Sequence, residues 1–343
     1  MISLREKIIG MFLGIGIGDA LGMPVETMSA EEIRTRFGRV RSFMEMPIDH
    51  KWHHDTPAGC PTDDTYLTLA VARAFIKSNG KFDMDAIAAE HVYELGLDSQ
   101  TWGPSTRNAV KRLAAGVHWS ESGKTDKPNS GMGNGVVMKL APLAAYDLSR
   151  GGNQIREHEL AEFTRLTHCT NEAVISTFVH FAVLRHLLKL NPDQIETWLL
   201  FHAIGGAFNA AFLYLRDEEG AAIELPMLDK LSDCFKQLAV HKSLTDEIIL
   251  SAWPNTFLVH DTLGLSYACF LRKVNIESLY DAINLGGDTD STGAIVGGML
   301  GALYGPKFFP DSLMNGLRPY IRDMIEQVAN QFCDSLEIEK EEI

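Results

Sequence analysis

Two stretches of the chain set carboxylates side by side where a turn gives way to an apolar run. The first is Pro61-Thr62-Asp63-Asp64-Thr65 and the second is Gly286-Gly287-Asp288-Thr289-Asp290-Ser291-Thr292-Gly293. Each suits the start of a helix, because Thr or Asp can cap exposed amides and acids in a first turn are favoured by the helix dipole. Capping accounts for one acid at each start, and leaves unexplained why four acids and neighbouring hydroxyls gather at two similar places so far apart in the chain. Glycines before Asp288 allow a sharp turn, so that Asp288 and Asp290 can converge on one point with the Ser291 hydroxyl as a further oxygen. Carboxylates brought together without a cation would repel, and some would have to protonate. Hard divalent cations such as Mg²⁺ or Mn²⁺ relieve that repulsion and favour an all-oxygen set.

Two glycine-rich elements accompany the acids. Gly14-Ile15-Gly16-Ile17-Gly18-Asp19-Ala20-Leu21-Gly22 is not spaced as a dinucleotide-binding loop, and the preceding Leu4 to Leu13 reads as helix where a strand would be required. The spacing predicts close helix packing instead, as does that of Gly293, Gly297 and Gly301. Asp19 and Glu26 then fall near a tight junction, and Glu26 becomes a candidate for proton transfer or for ordering a water. Ser130 to Lys139, with Gly131, Gly133 and Gly135, reads as a loop entering a helix, whose amides could cradle a pyrophosphate; a capping turn would look similar. His53-His54-Asp55 could bind a metal weakly, though a solvated loop is the simpler account. Neither an EF-hand spacing nor a zinc pattern is present.

The elements that must hold these groups carry helical periodicity almost throughout. Thr65 to Lys77, Ala86 to Leu95, Asn108 to Ala115, Ala173 to Leu190, Leu263 to Arg272, Ala294 to Tyr304 and Leu313 to Phe332 are predicted helices. Arg39 to Pro61 and Ser120 to Gly135 are predicted long loops, each leading into a motif. A formal net charge of -14 argues against nucleic acid or an anionic membrane surface as partner, since both call for clustered Lys and Arg. No apolar run is expected to span a membrane. Scattered cysteines without C-x-x-C spacing predict reduced thiols, and a cytoplasmic location is the consistent expectation.

Taken together, Gly14 with Gly18-Asp19-Ala20-Leu21-Gly22, then Thr62-Asp63-Asp64-Thr65, Gly133-Asn134-Gly135 with Met138, Thr167-His168 and Gly286-Gly287-Asp288-Thr289-Asp290-Ser291 resemble, in kind and order, the motifs of the ADP-ribosylglycohydrolase family. That family includes the dinitrogenase reductase-activating glycohydrolases and the ADP-ribosyl-acceptor hydrolases. The resemblance implies an all-α fold, a compact orthogonal bundle of many helices forming one domain over residues 1–343. It implies a site for two Mg²⁺ or Mn²⁺ ions, whose ligands would be Thr62, Asp63, Asp64, Asp288, Asp290 and Ser291. Glu26, Asp63 and Asp290 would then be the catalytic groups, with Glu26 beside the bound ribose. Gly133, Asn134 and Gly135 would line the diphosphate path and His168 would contact the substrate; a hydrogen-bonded core histidine is the alternative for His168.

The chain departs from the family pattern at Lys139, where Arg is common, at Cys60-Pro61 and at Gly131-Met132, while Arg39 to Pro61 and Asn209 to Ile249 look individual. These departures bear on acceptor specificity more than on metal binding. The implied reaction is hydrolysis of the bond between C1 of the distal ribose and an acceptor such as an arginine nitrogen or a serine oxygen, through an oxocarbenium-like state. An ADP-ribosylated protein is then the expected partner, and a cognate ADP-ribosyltransferase a further one. Two other readings stay open: hydrolysis of a free ADP-ribose derivative or nucleotide sugar, and binding of ADP-ribose that neutralises a transferase without catalysis.

Overall fold

The computed structural model describes residues 2–52, 56–97, 102–125, 130–152, 154–219 and 244–339. The His53-His54-Asp55 trio, Cys234 and parts of the segments 120–135 and 209–249 lie outside the described residues. Helix α1 (Leu4–Gly22) starts from a reciprocal cap, in which Ser3 accepts from the Glu6 amide and the Glu6 carboxylate accepts from the Ser3 amide. Ser29 and Glu32 repeat the device at α2 (Ala30–Phe37). There follow α3 (Asp63–Lys77), α4 (Met84–Leu97), α5 (Pro104–Ala114), α6 (Trp119–Ser122), α7 (Ala141–Ser149), α8 (Glu157–Arg165), α9 (Asn171–Lys189) and α10 (Thr197–Glu219). The chain then forms α11 (Asp246–Ala252), α12 (Val259–Arg272), α13 (Ile276–Asn284), α14 (Thr289–Tyr304), α15 (Asp311–Met314) and α16 (Pro319–Ser335). The fold is all-α, with no strand among the described residues.

Three expectations need correction. Leu313 to Phe332, predicted as one helix, is broken into α15 and α16. Pro319 at the first turn of α16 has no N–H to continue a ladder and holds Arg318 extended at ψ 134°. Ser130 to Lys139, predicted as a loop entering a helix, ends instead in a short 3₁₀ turn, Val137–Lys139, ahead of α7. Leu4–Val25 and Leu199–Asp217 are both long and apolar enough to cross a membrane, contrary to the expectation from the sequence; the first is 94% buried inside the protein and is its central helix.

The centre of the molecule is the crossing of α1 and α14, which run antiparallel with their backbones in contact. A Cβ at Gly14 would lie 2.1 Å from the Gly297 carbonyl oxygen, one at Gly18 1.9 Å from that of Gly293, and one at Gly22 2.1 Å from that of Thr289. Only glycine at these four-residue steps permits such an approach, as the sequence predicted. On its other flank α1 meets α3 and α16, where Phe332 packs against Phe12 and Phe75 with ring centroids 5.6 and 5.7 Å apart. The crossing thereby sets the C-terminal end of α1 beside the first turn of α14. The described part of segment 39–61 has no helix. It is tied down by Arg39 to Asp281 and Glu277, and by the Ala58 carbonyl accepting from Arg318 at 3.0 Å.

Candidate active site

Asp19, in the last turns of α1 and wholly buried, accepts from the amides of Thr62 at 2.9 Å and Thr65 at 3.0 Å. It also accepts from their hydroxyls, at 2.9 and 2.6 Å. A carboxylate on one helix thus caps the N-terminus of another. Thr62, in the cap position of α3, makes no side-chain capping bond of its own. With Asp19 in that role, Asp63 and Asp64 are not needed as caps, which removes the simpler account of their presence.

Glu26 is placed by the turn that follows α1. The Thr27 amide donates to the Gly287 carbonyl at 2.7 Å and the Gly287 amide donates to that of Met28 at 2.8 Å. Gly286 and Gly287 adopt left-handed φ of 76° and 81°, and a Cβ at Gly287 would lie 2.1 Å from the Asn255 carbonyl oxygen, so the predicted sharp turn requires glycine. As a result one carboxylate oxygen from each of Glu26, Asp288 and Asp290 lies within 4.8 Å of the others, all three residues being buried.

The first turn of α3 faces this group. Asp64 is buried, with one carboxylate oxygen accepting from the Ser291 hydroxyl at 3.3 Å and the other without a hydrogen-bond partner in the protein. Asp290 accepts from the Ser291 amide at 2.9 Å, and Asp288 accepts from the Asn134 side-chain amide. Burial first, and the Asp290 carboxylate second, push Asp63 up to about 8 and Asp64 and Asp288 well above the usual carboxylate range. Carboxylates packed so closely are stable as anions only beside a compensating cation. The orphaned Asp64 oxygen and the all-oxygen donor set fit a hard divalent ion.

The cluster forms the floor of a cleft of about 380 Å³. Glu26, Asp63, Asp64, Asp288, Asp290 and Ser291 all line it, and so do Gly133, Asn134, Gly135 and His168. Thr62 is buried next to Asp63, and its hydroxyl donates to Asp19, which leaves the oxygen's lone pairs able to ligate. The pyrophosphate cradle expected of the glycine loop is narrower than its sequence suggested. The Gly131 amide donates to the Ser105 hydroxyl and the Asn134 amide to the Phe257 carbonyl, both at 3.1 Å, so Gly133 and Gly135 are what remains facing the cleft. Asn134, which also lines the cleft, directs its side-chain amide to Asp288 and to Thr262, the latter 3.0 Å away, and so braces the floor.

The cleft's aromatic walls, Trp52, Trp102 and Phe257, were not foreseen from the residue pattern. Trp102 precedes Gly103-Pro104, a visible helix start, but nothing in the pattern aims Phe257 inward. The capping role of Asp19 was also missed, because it depends on a contact between helices.

His168 is buried at the cleft wall, and desolvation pushes it down to about 3. His180 is pushed down to about 3 and His91 well below its ordinary value, both for the same reason. The folded protein holds these rings neutral while the unfolded chain binds protons below a pH of about 6.5, so stability falls as pH drops through that value. Each ring contributes about 1.4 kcal/mol per pH unit to the slope. The urea midpoint at saturating Mg²⁺ should fall between pH 7 and pH 5, and His180→Phe should flatten the fall. A His180→Phe protein whose midpoint falls as steeply as that of the wild type contradicts neutral burial of His180.

The ADP-ribosylglycohydrolase family model matches residues 1–341. An uncharacterized protein of Archaeoglobus fulgidus is 30% identical over 96% of this chain and 97% of its own. The ADP-ribosyl-[dinitrogen reductase] glycohydrolase of Rhodospirillum rubrum is 25% identical over 92% and 91%. The ADP-ribosylarginine hydrolase Tri1 of Pseudomonas putida is 29% identical over 89% of this chain and 72% of its own. Among solved structures, an ADP-ribosylglycohydrolase-related protein complex superposes with a TM-score of 0.68 at 25% identity, covering 98% of this chain and 99% of that one. The motif order, the all-α fold and the acidic cleft agree with these matches, and the chain belongs to the ADP-ribosylglycohydrolase family.

Proposed function

We propose that the chain releases ADP-ribose from a modified protein by hydrolysing the bond at C1 of the distal ribose, with two Mg²⁺ or Mn²⁺ ions as cofactors and arginine as acceptor. The observation that carries this reading is the buried convergence of Asp64, Asp288, Asp290 and Glu26 at the floor of a cleft, with one Asp64 oxygen left unpartnered. Arginine is favoured because the Pseudomonas putida relative is an ADP-ribosylarginine hydrolase.

Thr62, Asp63, Asp64, Asp288, Asp290 and Ser291 would hold the ions, which when bound balance the carboxylate charge and polarise the ribose hydroxyls. Gly133 and Gly135 leave room for a diphosphate to approach the backbone, and Trp102 and Phe257 offer apolar faces for the remaining surface of the nucleotide. Glu26 stands beside the floor where C1 would lie and takes a proton from the attacking water. As the water oxygen bonds to C1, the bond from C1 to the acceptor breaks, its electron pair stays with the acceptor atom, and that atom takes up the proton Glu26 received from the water. The products are free ADP-ribose and the unmodified side chain.

A time course of ADP-ribose release from arginine-linked and serine-linked proteins, and from a free ADP-ribose derivative, tests this directly. Release from the arginine-linked protein with Mg²⁺ or Mn²⁺, abolished by EDTA and restored by the metal, is the expected result. Release from none of the three substrates with either metal would remove the proposal.

A further inference from the structure

Thr167 stands between two groups whose hydrogen-bonding options are limited. Lys139 is wholly buried and donates from Nζ to Thr167 Oγ1 at 3.3 Å; burial pushes it down to about 7, and below that pH it is an ammonium, with donors and no acceptor. His168 Nδ1 lies 2.8 Å from the same oxygen. With Lys139 an ammonium, Nδ1 is the acceptor within reach of the Thr167 hydroxyl hydrogen, and a buried hydroxyl hydrogen left without an acceptor is costly, so Nδ1 presents a lone pair to it. In a neutral imidazole the ring proton then sits on Nε2. That edge of the ring faces the backbone of Gly133 and Gly135, where the cleft wall has no side chains. A Cβ on either glycine would lie 3.5 Å from Nε2.

We propose that Thr167 and Lys139 are positioning residues that fix the Nε2–H tautomer of His168, so that the ring offers a hydrogen-bond donor to an oxygen of the ligand seated against Gly133 and Gly135. Only the identity of that ligand rests on the ADP-ribose reading; the tautomer follows from the protein alone. The arrangement gives a neutral donor to a wall that closes a cleft floored by carboxylates, where an anionic ligand needs donors. It also assigns work to Lys139, which reaches the ligand only through Thr167 and His168.

The test is nitrogen NMR of the protein carrying ¹⁵N-labelled histidine, without ligand, together with Thr167→Val and Thr167→Ser. At pH 6, where Lys139 is charged and the ring neutral, the wild-type His168 should show a protonated Nε2 and an unprotonated Nδ1. Thr167→Val, nearly the same shape without the hydroxyl, should populate the other tautomer and raise the Kd for ADP-ribose about tenfold while leaving Mg²⁺ affinity unchanged. Thr167→Ser should restore both. A wild-type ring with its proton on Nδ1 overturns the proposal, as does a Thr167→Val protein that keeps the wild-type tautomer. A wild-type protein that shows Nε2–H but binds no ADP-ribose supports the tautomer and sinks the ADP-ribose reading instead.

Discussion

Asp290→Asn should lower the rate of ADP-ribose release at least about a hundredfold, the upper end of what losing even an outer partner costs a metal site. The substitution keeps shape and removes charge at the residue whose carboxylate is the largest coulombic influence raising Asp63, Asp64 and Asp288. Its effect on stability should therefore depend on metal. Without divalent cations the variant loses a repelling charge from a buried cluster and should melt no lower than the wild type. With Mg²⁺ the wild type gains stability by mass action, and the variant should lose most of that gain. Paired melting curves with and without Mg²⁺ separate this from a simple folding defect, which would lower both. Full activity combined with an undiminished Mg²⁺-induced rise in melting temperature would exclude Asp290 from the metal site.

The helices and the acidic floor were legible because their causes are local. Three to four residue apolar spacing places the helices, and the Gly286-Gly287 pair announces a turn whose left-handed φ values the structure shows. The glycine steps in α1 and α14 predicted a close crossing, since small residues at intervals of four have few other uses. The other features are non-local. Asp19 reads as one more acid until its partners Thr62 and Thr65 arrive from a different helix. Phe257 becomes a wall residue because its carbonyl accepts from Asn134 and the Val259 amide donates to the Met132 carbonyl, both far away in the chain. The amides of Gly131 and Asn134 looked available for phosphate until Ser105 and Phe257 were found to accept from them. The break at Pro319 was visible in the sequence as a proline, but the apolar periodicity continued through it and hid the stop.

Gly18→Ala should destabilise the protein by about 3 kcal/mol or more, although alanine is the better helix former by about 1 kcal/mol. The added Cβ would fall 1.9 Å from the Gly293 carbonyl oxygen, and that neighbour is helix backbone, which cannot rotate away as a side chain can. Relief requires α1 and α14 to move apart, and that movement disturbs the junction from which Asp19, Glu26 and the Asp288–Ser291 turn are all positioned. Activity should consequently fall further than the loss of folded protein explains, since a displacement near 1 Å can cost about a hundredfold in rate. Gly96→Ala in α4 is the matched control, because nothing lies within 4 Å of a Cβ there. It should raise stability by about 0.5–1 kcal/mol with activity unchanged. Urea denaturation of the two variants should thus move in opposite directions. If Gly18→Ala proved as stable and active as Gly96→Ala, the backbone contact between α1 and α14 could not be what holds the two halves of the acidic floor together.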